Sequence, residues 1–132
     1  MQFTHVVSIH LFAAWAGFVC GVSSGAAIGL LFHREDWLGG YSSYPRRLLR
    51  LGHISFFGLG LLNALFAVTV ALVPFNELTA RIASLGLLIG AITMPLCCFA
   101  SAWRKPLRVF FPIPVVSVLI GTLLIAMTFF RV

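Results

Sequence analysis

Long apolar stretches, separated by short polar segments, dominate the pattern of this chain. Four of them are long enough to cross a bilayer as helices, which takes ~20 mostly apolar residues. Their approximate bounds are 6–32, 48–73, 82–103 and 112–130. The short connections favour helices that pack antiparallel with their neighbours in sequence. The pattern therefore predicts an all-α integral membrane protein, in which residues 1–132 form a single domain, an antiparallel bundle of four transmembrane helices.

The composition points to the same environment. Hydrophobic residues make up 61% of the chain and charged residues only 9%, whereas soluble domains carry roughly 25% charged residues. We therefore expect the helices to face the lipid bilayer. No basic segment opens the chain, so the first stretch is expected to be a retained span rather than a cleaved signal peptide. The three cysteines lie within apolar stretches, and this odd number argues against a disulfide framework.

The basic residues divide unevenly between the two sides of the predicted topology. Most of them lie in or beside the predicted loops 33–47 and 104–111, which share one side. They are Arg34, Arg46, Arg47, Arg50, Arg104, Lys105 and Arg108, while Arg81 and Arg131 are left for the other side. Because positively charged loops stay in the cytoplasm, both termini are predicted to be extracytoplasmic, in a bacterial inner membrane. Anionic lipid head groups account for the net charge of +6, so no nucleic-acid partner is needed.

Four glycines recur at intervals of four residues within the first apolar stretch. They are Gly17, Gly21, Gly25 and Gly29. Helix positions four residues apart lie on nearly the same face, so these glycines predict a shallow groove along the helix. Small residues at this spacing let a neighbouring helix approach closely. A flat cofactor ring would use the same clearance, so the pattern leaves two occupants open.

Two polar residues lie inside the second apolar stretch, where unpaired polar groups are costly. Asn63 is near its middle and is expected to form an interhelical hydrogen bond. His53 is close to its cytoplasmic end, where a backbone carbonyl or a loop carboxylate such as Glu35 is one expected partner. The alternative interpretation is that this histidine binds a metal or cofactor.

Side chains able to bind a metal gather near the predicted cytoplasmic boundary. One hypothesis is a b-type haem held by His53, with His33 or Met94 on the opposite face, since His/His and His/Met pairs hold haem in electron carriers. Clearance for the porphyrin and partners for its propionates would come from Gly25, Gly29, Gly60, Arg46 and Arg50. The second hypothesis is a copper site built from His53, Met94 and one of the adjacent Cys97 and Cys98.

Motifs of common enzymes are missing from the chain. It has no nucleophile elbow (GxSxG), zinc-protease motif (HExxH), phosphate-binding loop or pair of cysteines separated by two residues (CxxC). The three acids, Glu35, Asp36 and Glu77, all fall in predicted loops, so no buried carboxylate marks a proton relay. The first hypothesis is a small membrane subunit that serves electron transfer through one haem between the first two spans. The alternative is a non-catalytic scaffold subunit packed through the glycine groove, as a homo-oligomer or within a larger complex. A small-solute carrier ranks third.

Overall fold

Four long helices account for most of the chain in a computed structural model, which describes residues 3–130. The helices are α1 (Thr4–Phe32), α2 (Tyr44–Leu72), α3 (Glu77–Trp103) and α4 (Pro112–Phe129). Two short 3₁₀ turns, Trp37–Gly39 and Lys105–Phe110, lie in the connections 33–43 and 104–111. No strand occurs among the described residues, and all four helices are long and apolar enough to cross a membrane. The all-helical prediction with four such helices is therefore confirmed.

Polar caps explain why α2 and α3 begin before their apolar stretches. The Ser43 side chain accepts a hydrogen bond from the backbone N–H of Arg46 at 3.4 Å. The side chain of Asn76 accepts from the backbone N–H of Leu78 at 3.0 Å and from that of Thr79 at 3.4 Å. A helix starts at the residue that satisfies its first free N–H groups, and not at its first apolar residue. The predicted starts at 48 and 82 are therefore late by about one turn.

The helices pack in sequence order. Contacts join α1 to α2, α2 to α3 and α3 to α4, with a smaller contact between α1 and α3. As a result α2 and α3 are more buried, whereas α1 and α4 expose most of their apolar side chains. Such exposed apolar surface fits a protein that contacts lipid. The buried core lies around the turn between α2 and α3 and consists of Phe66, Val70, Phe75, Ala80, Ala83 and Leu87.

Glycines set the register of α1 against α2. A Cβ atom added to Gly17 would lie 2.9 Å from the carbonyl oxygen of Phe56. The same atom would lie 2.6 Å from the ring of Phe57 at Gly21 and 2.5 Å from the ring of His53 at Gly25. The Cβ atom added to Gly17 would also lie 3.4 Å from the Cα atom of Gly60. From Gly17 through Gly21 to Gly25, the contact on α2 thus shifts from Gly60 to Phe57 and then to His53, so the two helices run antiparallel.

The two connections with many basic residues lie at one end of the bundle, hereafter the basic end. The ammonium group of Lys105 lies 5.5 Å from the centre of the Tyr44 ring, which brings the second connection beside the start of α2. Arg81 pairs with Glu77 at 2.7 Å in the first turn of α3, at the opposite end. Arg131, which the sequence assigns to that opposite side, lies outside the described residues.

Candidate functional site

A buried hydrogen-bonded group joins three helices. His10 of α1 lies 2.6 Å from Asn63 of α2 through Nδ1 and Oδ1. Its Nε2 lies 2.8 Å from the Oγ of Ser84 on α3. His10 and Asn63 have no exposed surface. Asn63 thus has an interhelical hydrogen bond, and its partner is a histidine for which the sequence suggested no role.

The Asn63 amide determines which nitrogen of His10 carries the proton. Its Nδ2 donates to the carbonyl oxygen of Leu59 at 2.7 Å, so its Oδ1 faces His10 as an acceptor. Nδ1 of His10 must therefore donate, because an amide oxygen cannot. Nε2 of the neutral ring then accepts from the hydroxyl of Ser84. The edge of the imidazole also contacts Phe66, with the ring centres 4.6 Å apart.

The order hydroxyl, imidazole and amide oxygen matches that of hydrolase triads, but the setting of Ser84 does not support hydrolysis. A serine nucleophile needs free donors close by to stabilise an oxyanion. Ser84 lies within α3, where backbone N–H groups already donate to carbonyls four residues earlier. Hydrogen bonds between helices hold apolar bundles together. We therefore assign the group of His10, Asn63 and Ser84 to helix packing.

Depth along the helices is the signal that would have found this group. His10 lies six residues after the start of α1, Ser84 seven after the start of α3, and Asn63 nine before the end of α2. These offsets place the three residues at similar depth, about 9–14 Å from the helix ends. The sequence hypotheses concerned metal ligands near the basic end, so they did not pair His10 with an amide and a hydroxyl.

His53 packs against α1 at Gly25. Its Nδ1 lies 3.2 Å from the Oγ of Ser24, and its ring meets the ring of Phe57 edge-on, with centres 5.4 Å apart. His53 is thus hydrogen-bonded to Ser24, and not to the carboxylate of Glu35. The imidazole fills the space that the absent side chain of Gly25 leaves.

The other proposed ligands lie at different levels. His33 is exposed at the end of α1, where its Nδ1 donates to the carbonyl oxygen of Leu30 at 2.8 Å. It follows Gly25 by eight residues, which is about 12 Å along a helix. Cys98 is buried against Gly52 of α2, and Met94 precedes it by one turn of α3. Among residues 3–130, no three His, Cys, Asp or Glu side chains are placed to hold a metal ion.

The clearance for a porphyrin between α1 and α2 is largely filled. A Cβ atom at Gly60 would lie 2.9 Å from the ring of Phe18 and 3.1 Å from the carbonyl oxygen of Ala14. Gly25 is covered by His53, so that of Gly25, Gly29 and Gly60 only Gly29 has open space around it. This arrangement does not fit a haem between the two helices with His33 and His53 as its ligands. Haem or copper binding by the chain as such stays a prediction.

Arg46 holds the connection between α1 and α2. Its side chain is buried, 1% exposed, and its guanidinium donates to backbone carbonyls of that connection. The acceptors are Trp37 at 2.5 Å from Nε, and Glu35 at 3.4 Å and Arg34 from Nη2. Leu38 in the same connection has φ = 52°, a conformation that costs a non-glycine residue about 1–2 kcal/mol.

Arg50 likewise donates to a backbone carbonyl, that of Tyr41, at 3.1 Å. Both arginines considered for propionates therefore bind backbone.

A groove runs between α1 and α3 over the surface of α2. Its volume is about 490 Å³, and its lining is almost wholly apolar. Small residues line much of it: Ala13, Ala16, Gly17 and Cys20 from α1, Gly60 from α2, and Ala91 from α3. We call it the α1–α3 groove. It offers no charged group to a polar substrate, and its lining suits an apolar partner.

Comparison with known proteins adds no family to these observations. No protein-family model, curated protein or solved structure matches the chain. Its function is therefore inferred from its own geometry.

Proposed function

We propose that this chain is a non-catalytic packing subunit of a membrane complex. In this proposal the α1–α3 groove receives a transmembrane helix from another copy of the chain or from a different subunit. The observation that carries the proposal is the groove itself, since small residues on its walls would let a helix axis approach to the roughly 8–10 Å typical of packed helices.

The polar residues within the helices support this proposal because they are used internally. His10 is hydrogen-bonded to both Asn63 and Ser84. His53 is hydrogen-bonded to Ser24. Within residues 3–130, only the hydroxyl of Ser101 is a buried polar side-chain atom without a hydrogen-bond partner. Chemistry on a polar substrate would need several such groups directed into a shared cavity. The surface that the α1–α3 groove presents to a ligand or partner is instead apolar.

The position of α1 at the edge of the bundle, where it contacts mainly α2, also supports the packing proposal. Phe12, at the rim of the α1–α3 groove, is 74% exposed, and Cys20 deeper along α1 is exposed too. In lipid, helix association depends on close van der Waals contact between well-fitted surfaces. The small residues that line the α1–α3 groove allow such contact, whereas the exposed branched side chains of α4 do not.

Photo-crosslinking in native membranes tests the proposal. Phe12 is replaced by p-benzoyl-phenylalanine, and a matched probe replaces Phe129, an exposed phenylalanine of α4. We expect the probe at Phe12 to give a discrete protein adduct on illumination. Ala16→Leu, which fills the groove, should remove the adduct, and Ala27→Leu, at an exposed position of α1 outside the groove, should leave it. The mass of the adduct then distinguishes a second copy from another subunit.

Two results would overturn the packing proposal. One is equal crosslinking from the probes at Phe12 and Phe129, together with a monomer in native mass spectra of protein extracted with its lipids. The other is an adduct that survives Ala16→Leu unchanged.

Electron transfer is the competing proposal, and one observation favours it. The hydrogen bond of His53 is made by Nδ1, and no hydrogen bond of its Nε2 is found among the described residues, so Nε2 is available to bind a metal. An absorption spectrum of purified protein, oxidised and then reduced with dithionite, decides the matter. A Soret band with sharpened α and β bands that His53→Ala abolishes would replace the packing proposal by electron transfer. Protein without these bands, expressed with haem supplied, would end the haem hypothesis.

A further inference from the structure

Three cations without a carboxylate partner among the described residues lie close together in sequence at the basic end. Arg104, Lys105 and Arg108 are all exposed in the connection between α3 and α4. The pair Glu77–Arg81, at the other end, is the only ion pair found in residues 3–130. No carboxylate of the described chain therefore neutralises these three side chains. Such a cluster attracts an anion, and the attraction is strongest near a low-dielectric surface.

An apolar groove lies directly against the same connection. It measures about 350 Å³ and lies between α3 and α4; we call it the α3–α4 groove. Its lining consists of Thr93, Leu96, Cys97, Ala100, Leu107, Phe110 and Ile113. The hydroxyl of Thr93 donates to the carbonyl oxygen of Ile89 at 2.6 Å, so it offers no free donor. The groove suits a hydrocarbon chain.

The 3₁₀ turn Lys105–Phe110 connects the two features. Leu107 and Phe110 line the groove, whereas Lys105 and Arg108 of the same turn are exposed cations. The chain thus presents positive charge and apolar surface side by side within six residues. Trp103, 88% exposed at the end of α3, adds an amphipathic ring of the kind that sits at the level of lipid head groups.

We propose that this part of the chain binds one anionic phospholipid. Arg104, Lys105 and Arg108 receive its phosphate, and one acyl chain lies in the α3–α4 groove. A soluble phosphate would satisfy the cations but leave the groove unused, and a zwitterionic lipid would fill the groove with less electrostatic gain. Basic side chains between transmembrane helices bind anionic head groups in this way. The proposal uses a different groove from the packing proposal and does not depend on it.

Native mass spectrometry of the whole chain in detergent tests it, with phosphatidylglycerol and phosphatidylcholine added in turn. We expect phosphatidylglycerol to be retained preferentially. Arg104→Gln/Arg108→Gln should weaken its retention roughly 25-fold, from about 5-fold for each basic side chain near an anionic surface. The control Arg34→Gln/Arg47→Gln removes the same charge from exposed residues of the basic end and should change little. All four side chains are exposed, so folding is expected to persist, and circular dichroism checks it.

Groove filling separates a lipid from a soluble phosphate. Ala100→Leu, which fills the α3–α4 groove, should lower retention of phosphatidylglycerol, whereas Ala91→Leu in the α1–α3 groove should not. Glycerol 3-phosphate should compete poorly. Retention that survives Ala100→Leu, with efficient competition by glycerol 3-phosphate, would make the ligand a soluble phosphate and overturn the proposal. Equal retention of both lipids, or equal effects of the two double variants, would overturn it as well.

Discussion

Replacing His10 by phenylalanine should loosen the contact between α1, α2 and α3. Phenylalanine keeps the ring and its edge contact with Phe66, where the ring centres are 4.6 Å apart. The substitution removes the hydrogen bonds to Asn63 at 2.6 Å and to Ser84 at 2.8 Å. It therefore tests the polar contacts of this group while the volume of the side chain is nearly preserved.

The size of the effect follows from what each partner loses. Hydrogen bonds between membrane helices contribute about 0.6 kcal/mol on average and about 1.7 kcal/mol at most. Ser84 can turn its hydroxyl to a carbonyl one helical turn earlier. Asn63 is fully buried and keeps an acceptor without a donor, which costs about 1–3 kcal/mol. We expect His10→Phe to lower the free energy of unfolding by about 2–3 kcal/mol.

A double-mutant cycle separates this hydrogen bond from general disruption. Asn63→Leu alone leaves the Nδ1–H of His10 buried without an acceptor, whereas the double variant removes both polar groups. The double variant should therefore be more stable than the sum of the single effects predicts, by about 1–2 kcal/mol. Reversible unfolding in mixed micelles, followed by circular dichroism, measures each free energy.

Ser55→Ala is the matched control for this cycle. The hydroxyl of Ser55 donates only within α2, to the carbonyl oxygen of Gly52 at 2.7 Å, so its loss should cost less than about 0.5 kcal/mol. If the effects of His10→Phe and Asn63→Leu add to within about 0.5 kcal/mol, the hydrogen bond does not couple the helices and our reasoning is refuted.

Three further predictions concern single positions. Gly86→Ala places a Cβ atom 2.5 Å from a backbone carbonyl oxygen of α4 and should lower the free energy of unfolding by about 1–3 kcal/mol. Gly29→Ala, in open space, should leave this free energy unchanged or raise it by up to about 1 kcal/mol. Unfolding in micelles measures both variants, and equal effects would contradict the packing of α3 on α4. Arg46→Lys cannot reproduce the donors of the guanidinium, so amides 33–43 should exchange with deuterium faster than in the control Arg47→Lys, which changes an exposed side chain. Nitrogen-15 NMR should find the proton of His10 on Nδ1 at neutral pH, and a proton on Nε2 alone would refute the assigned network.

The positions of the helices follow largely from the sequence. Each apolar stretch became one helix, and the predicted C-terminal ends agree with the structure to within one residue. The starts of α2 and α3 were placed late because Ser43 and Asn76 begin those helices within polar sequence. Capping is a local interaction, so the sequence contains the signal for both helix starts.

The partners of the polar residues were harder to predict. The sequence indicated that Asn63 needs a hydrogen bond, but not that His10 provides it. It placed His33 and His53 near one boundary, whereas His53 packs against Gly25, which lies about 12 Å along α1 from His33. An error of one turn in the estimated depth is enough to exchange one set of neighbours for another.

Two kinds of physical cause divide what was predicted from what was not. Hydrophobicity, capping and loop charge act on each segment separately, so the sequence by itself determined four helices apolar enough to cross a membrane and the gathering of basic residues in two connections. Rotation and register depend on how side chains of two helices fit together. Only the tertiary structure could therefore decide that α2 covers three of the four glycines of α1, that His10 is hydrogen-bonded to Asn63, and where the two apolar grooves stay open.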